Sequence, residues 1–232
     1  MIEFKDVTKV YEGTVALNQL NLTLQSGEIV GLIGHNGAGK STTIKSLVSV
    51  INPSSGQIFV DGKELSANRL EIKKKIGYVA DSPDLFLRLT ANEFWELVAT
   101  SYDMTNAEVE ERLGNLLHIF DFGSHRYEVI DSFSHGMRQK VFVIAALLSD
   151  PDIWVLDEPL TGLDPQAAFD LKQMMRQHAD KGNTVCVTSK QCYEQSTNVS
   201  NCYFYLTSKA GQILPSLFFI NDLNKTSKEK NH

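Results

Sequence analysis

The sequence has no long apolar stretch. Its longest apolar runs, such as residues 141–148, fall far short of the roughly 20 residues that a membrane-spanning helix needs. The opening MIEFKDVTKV carries acidic residues early and no apolar core, so no signal peptide is expected. The chain therefore reads as soluble, and any membrane role comes through a partner. Cysteine is scarce: Cys186, Cys192 and Cys202 are odd in number, and their spacing fits no zinc pattern. They read as free thiols of a cytosolic protein. Positive charge is outnumbered, with 22 Lys and Arg against 28 Asp and Glu and a net charge of -6. A nucleic-acid binder normally shows a basic face, so that class is disfavoured. There is no internal repeat and no low-complexity linker.

What remains is an ordinary globular composition, 42% hydrophobic and 22% charged. Short β-branched runs alternate with helical patterns. The predicted strands are 2–7, 20–24, 28–33, 57–60, 76–79, 153–156 and 184–188. Residues 29–33 (IVGLI) and 153–156 (IWVL) lack polar alternation, which suits strands buried on both faces of a parallel sheet. The fold class is thus α/β layered. Between about 84 and 150 the pattern turns helical. Thr90-Ala91-Asn92-Glu93 and Thr105-Asn106-Ala107-Glu108 both read as capping boxes. After the second come Val109, Leu113, Leu116, Leu117 and Phe120 at helical spacing, an ordinary core stripe.

The chemistry concentrates in GHNGAGKST, residues 34–42. Gly34, Gly37, Gly39, Lys40 and Ser41 fit the phosphate-loop spacing. Glycines allow backbone angles closed to other residues and a close approach to a ligand. Successive N–H groups then form an anion-binding concavity, and a helix starting near Lys40 adds its positive end. Lys40 can reach the β- and γ-phosphates of a nucleotide, and Ser41 can coordinate magnesium. A second acidic element follows strand 153–156. Asp157 can reach the same metal, and Glu158 can act as general base on the attacking water.

Together these motifs resemble the nucleotide-binding subunit of an ATP-binding cassette (ABC) transporter. The Walker A stretch is GHNGAGKST and the Walker B stretch is IWVLDEP. Between them Phe133-Ser134-His135-Gly136-Met137 resembles the family signature, and Thr161-Gly162-Leu163-Asp164 resembles its D-loop. Tyr11 matches the aromatic that stacks on adenine. The resemblance runs in the correct order over residues 2–189. It implies a P-loop NTPase core with a mainly parallel sheet, an N-terminal antiparallel β-subdomain and an inserted helical subdomain. All of 1–232 would be one cassette domain, its polar tail (about 221–232) frayed.

The resemblance also implies the ligands and partners. ATP with Mg2+ would be held by Tyr11, Gly34, His35, Asn36, Gly37, Ala38, Gly39, Lys40, Ser41 and Thr42. A second nucleotide-binding subunit, identical or different, would close over it with Ser134, Gly136, Met137 and Asp164. Metal ligands would be Ser41, Asp157 and Asp81. A separate membrane permease would receive the movement, placing the chain on the cytoplasmic face of the cell membrane, with export as the favoured direction.

Two positions depart from the family pattern. The Q-loop glutamine is replaced by Asp81, which either binds a metal-bound water or simply belongs to an ordinary turn. The switch histidine is replaced by Lys190. Lysine attracts phosphate but offers no acceptor and cannot share a proton near neutral pH as imidazole does. The expectation is tight ATP binding with slow hydrolysis, so Asp81, Glu158 and Lys190 are the catalytic candidates. Two other readings stay open: a soluble ABC ATPase outside transport, such as one for iron–sulfur assembly, and a weakly hydrolysing nucleotide-binding regulator.

Overall fold

The computed structural model describes residues 1–34, 36–81 and 86–189, and the strand backbones of 201–207 and 213–216. The chain opens with β1 (Ile2–Tyr11), β2 (Thr14–Leu24), β3 (Ile29–Ile33), α1 (Lys40–Leu47), β4 (Ser55–Val60), β5 (Lys63–Glu64), α2 (Arg69–Lys73) and β6 (Ile76–Val79). It continues through α3 (Ala91–Ser101), α4 (Asn106–Ile119), α5 (His135–Leu148), β7 (Ile153–Leu156), α6 (Pro165–Asp180), β8 (Thr184–Ser189), β9 (Asn201–Thr207) and β10 (Ile213–Ser216).

The strands form two sheets. One is antiparallel, in the order β2-β1-β4-β5. The other runs β10-β9-β3-β8-β7-β6 and is parallel except for β10. Residues 29–33 and 153–156 are buried at every position, as their unbroken apolar runs require. Their side chains alternate between two cores. Trp154, Leu156, Val185 and Val187 face the layer of α3 to α6. Val30, Leu32, Ile153, Val155 and Cys186 face α1 and the antiparallel sheet. Burial pushes the Cys186 thiol up to about 12, with the Asp157 charge adding, so this cysteine is an inert apolar filler.

Both predicted capping boxes are present. Thr90 and Thr105 each accept the backbone N–H of the glutamate three residues on, and each glutamate bonds back to the threonine amide. The stripe Val109, Leu113, Leu116, Leu117 and Phe120 is buried. It packs in one cluster with Trp95, whose indole N–H donates to the Val141 carbonyl at 2.9 Å. The helical stretch is therefore anchored on α5 rather than free-standing.

The antiparallel sheet is longer than the apolar pattern predicts. Buried positions in β1 shift from Ile2 and Phe4 to Val7, and in β2 from Leu17 to Leu20, Leu22 and Leu24. Each change of parity has a bulge at its centre, with Asp6 at φ 49 and Gln19 at φ 47. Asn21 ties the two together. Its amide donates to Asp6 Oδ1 at 2.7 Å and to the Gln19 carbonyl at 3.1 Å.

Candidate functional site

The sheet order puts β3, β8, β7 and β6 side by side, all pointing the same way. Ile33 pairs with Ser189, and Leu156 with Val187 and Val79. The residues that follow these strands, Gly34, Asp157 and Asp81, therefore leave the sheet at one carboxyl edge. That is where open α/β sheets bind ligands. Two expected residues, His35 and Lys190, lie outside the described residues.

The loop after β3 is built as its glycines predict. Gly37 and Gly39 sit at φ 84 and 88, where an L side chain is strained. A Cβ on Gly39 would lie 2.8 Å from the Ala16 carbonyl oxygen, so the loop is pressed against β2. A Cβ on Gly37 would meet nothing within 4 Å, so the loop's other side is open. Gly39 also caps α1, its carbonyl accepting the Thr43 amide at 2.8 Å and the Thr43 hydroxyl at 3.0 Å. Lys40 begins the helix, is buried, and turns its ammonium back to the Gly34 carbonyl at 2.5 Å. Ser41 and Asn36 are exposed, Thr42 is half-buried, and Ala38 is buried. Tyr11 ends β1 partly exposed, with the Lys9 ammonium 5.1 Å from its ring centre.

Asp157 and Glu158 are both buried at the end of β7. Thr188, on the neighbouring β8, holds them. Its hydroxyl donates to Asp157 Oδ1 at 2.5 Å and accepts the Glu158 amide at 2.9 Å. Glu158 stands at φ 51, an uncommon angle for a non-glycine residue, ahead of Pro159. Burial, then the charges of Asp157 and Asp81, push the Tyr78 phenol up to about 12, so Tyr78 stays neutral between the two acids. Asp81 itself is half-buried in a bend. The residues present suit a magnesium nucleotide. Ser41 and Asp157 offer oxygen only, the chemistry magnesium takes. Among the described residues no group of three or more His, Cys, Asp or Glu converges as a metal site. A magnesium held by few protein ligands and by substrate phosphates is the usual arrangement.

The signature-like residues form a separate group. Ser134 caps α5, accepting the Met137 amide at 3.3 Å. Gly136 lies half-buried against Gly162, where a Cβ would sit 2.2 Å from the Gly162 carbonyl oxygen. Asp164 caps α6, its Oδ1 accepting the Ala167 amide at 2.9 Å. That bond first, and Lys140 second, hold the Asp164 carboxyl below the usual carboxylate range. Ser134 and Asp164 thus stand at the N-terminal ends of α5 and α6, and Gly136 lies in the first turn of α5.

The ABC transporter family model matches residues 17–161, which contain the phosphate loop, the signature-like turn and Asp157-Glu158. The chain belongs to the ABC transporter family. Among its ABC relatives, the transporter ATP-binding protein EcsA of Bacillus subtilis is 34% identical over 82% of this chain and 76% of EcsA. The bacitracin transport ATP-binding protein BcrA of Bacillus licheniformis is 32% identical over 82% of this chain and 61% of BcrA. The daunorubicin/doxorubicin resistance ATP-binding protein DrrA of Streptomyces peucetius is 32% identical over 82% of this chain and 57% of DrrA. The chain thus spans less than two thirds of BcrA and DrrA. A solved ATP-binding subunit of an ABC transporter is 29% identical, with a TM-score of 0.88 over 100% of this chain and 95% of that one. A bacterial ABC transporter cassette solved as a dimer is 25% identical, with a TM-score of 0.81 over 95% and 99%. The chain is an ABC nucleotide-binding subunit with the α/β cassette fold of that family.

Sequence reasoning missed Thr188 in this ABC cassette. The visible signal was weak: one of three hydroxyl residues in the strand TVCVTS, two residues before the departure at Lys190. Only the pairing of β8 with β7 brings it to Asp157.

Proposed function

We propose that this chain binds and hydrolyses ATP to drive export through a separate membrane permease, from the cytoplasmic face of the membrane. The observation that carries the hydrolytic part is the convergence of Lys40, Asp157 and Glu158 at one sheet edge, with Thr188 bonded to both acids. The relatives BcrA and DrrA, named for bacitracin transport and daunorubicin/doxorubicin resistance, support export. No helix among the described residues is long and apolar enough to cross a membrane.

In this reading Tyr11 stacks on adenine, and the amides of 34–39, His35 and Asn36 included, receive the phosphates. Lys40 leaves the Gly34 carbonyl for the β- and γ-phosphates. Ser41 and Asp157 would hold magnesium, with Thr42 next in the chain and Asp81 as a further oxygen ligand. Magnesium, when bound, draws charge off the phosphate oxygens. Glu158 takes the proton of the attacking water. Its burial and its bonded amide fix it where it is needed before substrate arrives. Ser134, Gly136, Met137 and Asp164 face the nucleotide of a second subunit, as the family resemblance implies.

Membrane fractionation tests the transport role. The native chain should sediment with membranes and leave them together with one membrane protein when detergent is added. A wholly soluble distribution refutes it. Lys190 favours a second reading, a regulator that binds ATP and turns it over slowly. Lys190→His should then raise turnover, whereas an unchanged rate removes the reason for that reading.

A further inference from the structure

One face of α5 holds the whole loop that follows β7. Gly136, Gln139 and Lys140 are spaced i, i+3 and i+4, so they share that face. Gln139 Nε2 donates to the Pro159 carbonyl at 3.4 Å. Gly136 allows the Gly162 carbonyl to come closer than any side chain would permit. In return a Cβ on Gly162 would lie 2.4 Å from Cδ2 of His135, so the two turns are in mutual contact. Lys140 closes the far end. Its ammonium lies 2.9 Å from Asp164 Oδ2 and donates to the Phe120 carbonyl, at the end of α4, at 3.2 Å. The Lys140 side chain is 17% exposed and that of Asp164 51%, so the lysine is held by its packing and its two oxygen partners while the acid faces water.

We propose that Lys140 is a positioning residue for the ATPase, locking the first turn of α5 and the loop 159–164 into one body. Ser134 lies at one end of that body and Glu158 at the other. The inference rests on the proposed function, in which Ser134 serves the ATP of a second subunit and Glu158 serves the chain's own. Under that reading the body spans two ATP sites, and Lys140 couples them. The lid over one site cannot settle without moving the base of the other. Lys140 touches neither nucleotide, and its effect passes through Asp164.

The test compares Lys140→Met, Lys140→Arg, Asp164→Asn and the double variant Lys140→Met with Asp164→Asn in the full chain. Asparagine still caps a helix, so Asp164→Asn removes the ion pair and spares α6. Binding is read with the fluorescent nucleotide TNP-ATP, and turnover by phosphate release. For Lys140→Met, TNP-ATP affinity and KM should stay within about threefold of wild type while kcat falls about tenfold or more, the scale of a small misplacement far from the chemistry. Lys140→Arg should restore most of kcat. Asp164→Asn also changes a residue that faces the nucleotide of a second subunit, so it should lower kcat at least as far as Lys140→Met, and the double variant should lose no more than Asp164→Asn alone. A Lys140→Met chain with wild-type kcat overturns the inference. So does a parallel loss of affinity, kcat and melting temperature, or a double variant whose losses add. A wild-type chain that binds no TNP-ATP fails the proposed function itself, and the inference with it.

Discussion

The Thr188 hydroxyl donates to Asp157 Oδ1 at 2.5 Å, across from one strand to the next. The Thr188 Oγ1 in turn accepts the amide of Glu158. One small side chain thus orients the proposed metal ligand and the proposed base together. Thr188→Val keeps the shape and removes both bonds. It leaves a buried carboxylate short of a donor, costing about 1–3 kcal/mol of stability. Loss of an outer partner of a metal ligand also weakens metal affinity by about tenfold or more. The Mg2+ concentration for half-maximal ATPase should therefore rise by that factor, and Thr188→Ser should restore it. An unchanged Mg2+ dependence removes Thr188 from the site.

Glu158→Gln separates binding from hydrolysis. The amide fills the same buried space and leaves Lys40, Ser41 and Asp157 intact. The variant should bind ATP, hydrolyse it at least about a hundredfold more slowly, as loss of a general base implies, and accumulate as a closed dimer. Light scattering with and without ATP reads the dimer, and phosphate release reads the rate. Undiminished hydrolysis excludes Glu158 as the base.

Much of this was legible in the residues, and the reasons differ by region. Unbroken apolar runs marked β3 and β7 because both faces are buried. Capping boxes marked α3 and α4 because their bonds are local. The tight loop at 34–42 was legible because its glycines stand where the backbone takes positive φ, at 84 for Gly37 and 88 for Gly39. The full length of β1 and β2 was not, because bulges at Asp6 and Gln19 reverse the alternation midway. Thr188 was hidden for another reason. Its partner lies 31 residues away, and only the strand order brings them together. The contact between His135 and Gly162 is hidden likewise, since it joins the ends of two separate motifs.

The interior also carries a pH dependence. The His178 ring is buried, stacked on Trp154 with centres 3.9 Å apart and planes 12° from parallel. Burial lowers its pKa to about 4, against an opposing pull from Asp150. In the unfolded chain it titrates near about 6.5. Between these values the unfolded state binds the extra proton, so folding stability falls as pH falls from about 6.5 towards 4. Between pH 7 and 5 this group costs about 2 kcal/mol. His178→Phe keeps the stack and removes the proton site. Urea melts at the two pH values should show that variant losing less stability than wild type. Equal losses contradict the account.

The central claim is that the loop around Lys40 grips the phosphates of ATP. Calorimetric titration of MgATP into the purified chain and into Lys40→Ala tests it most directly. The wild type should bind one ATP per chain, and loss of the ammonium should weaken binding by about tenfold or more, as removing a charged hydrogen bond implies. A wild-type chain that takes up no ATP, or a variant that binds it equally well, would contradict the account.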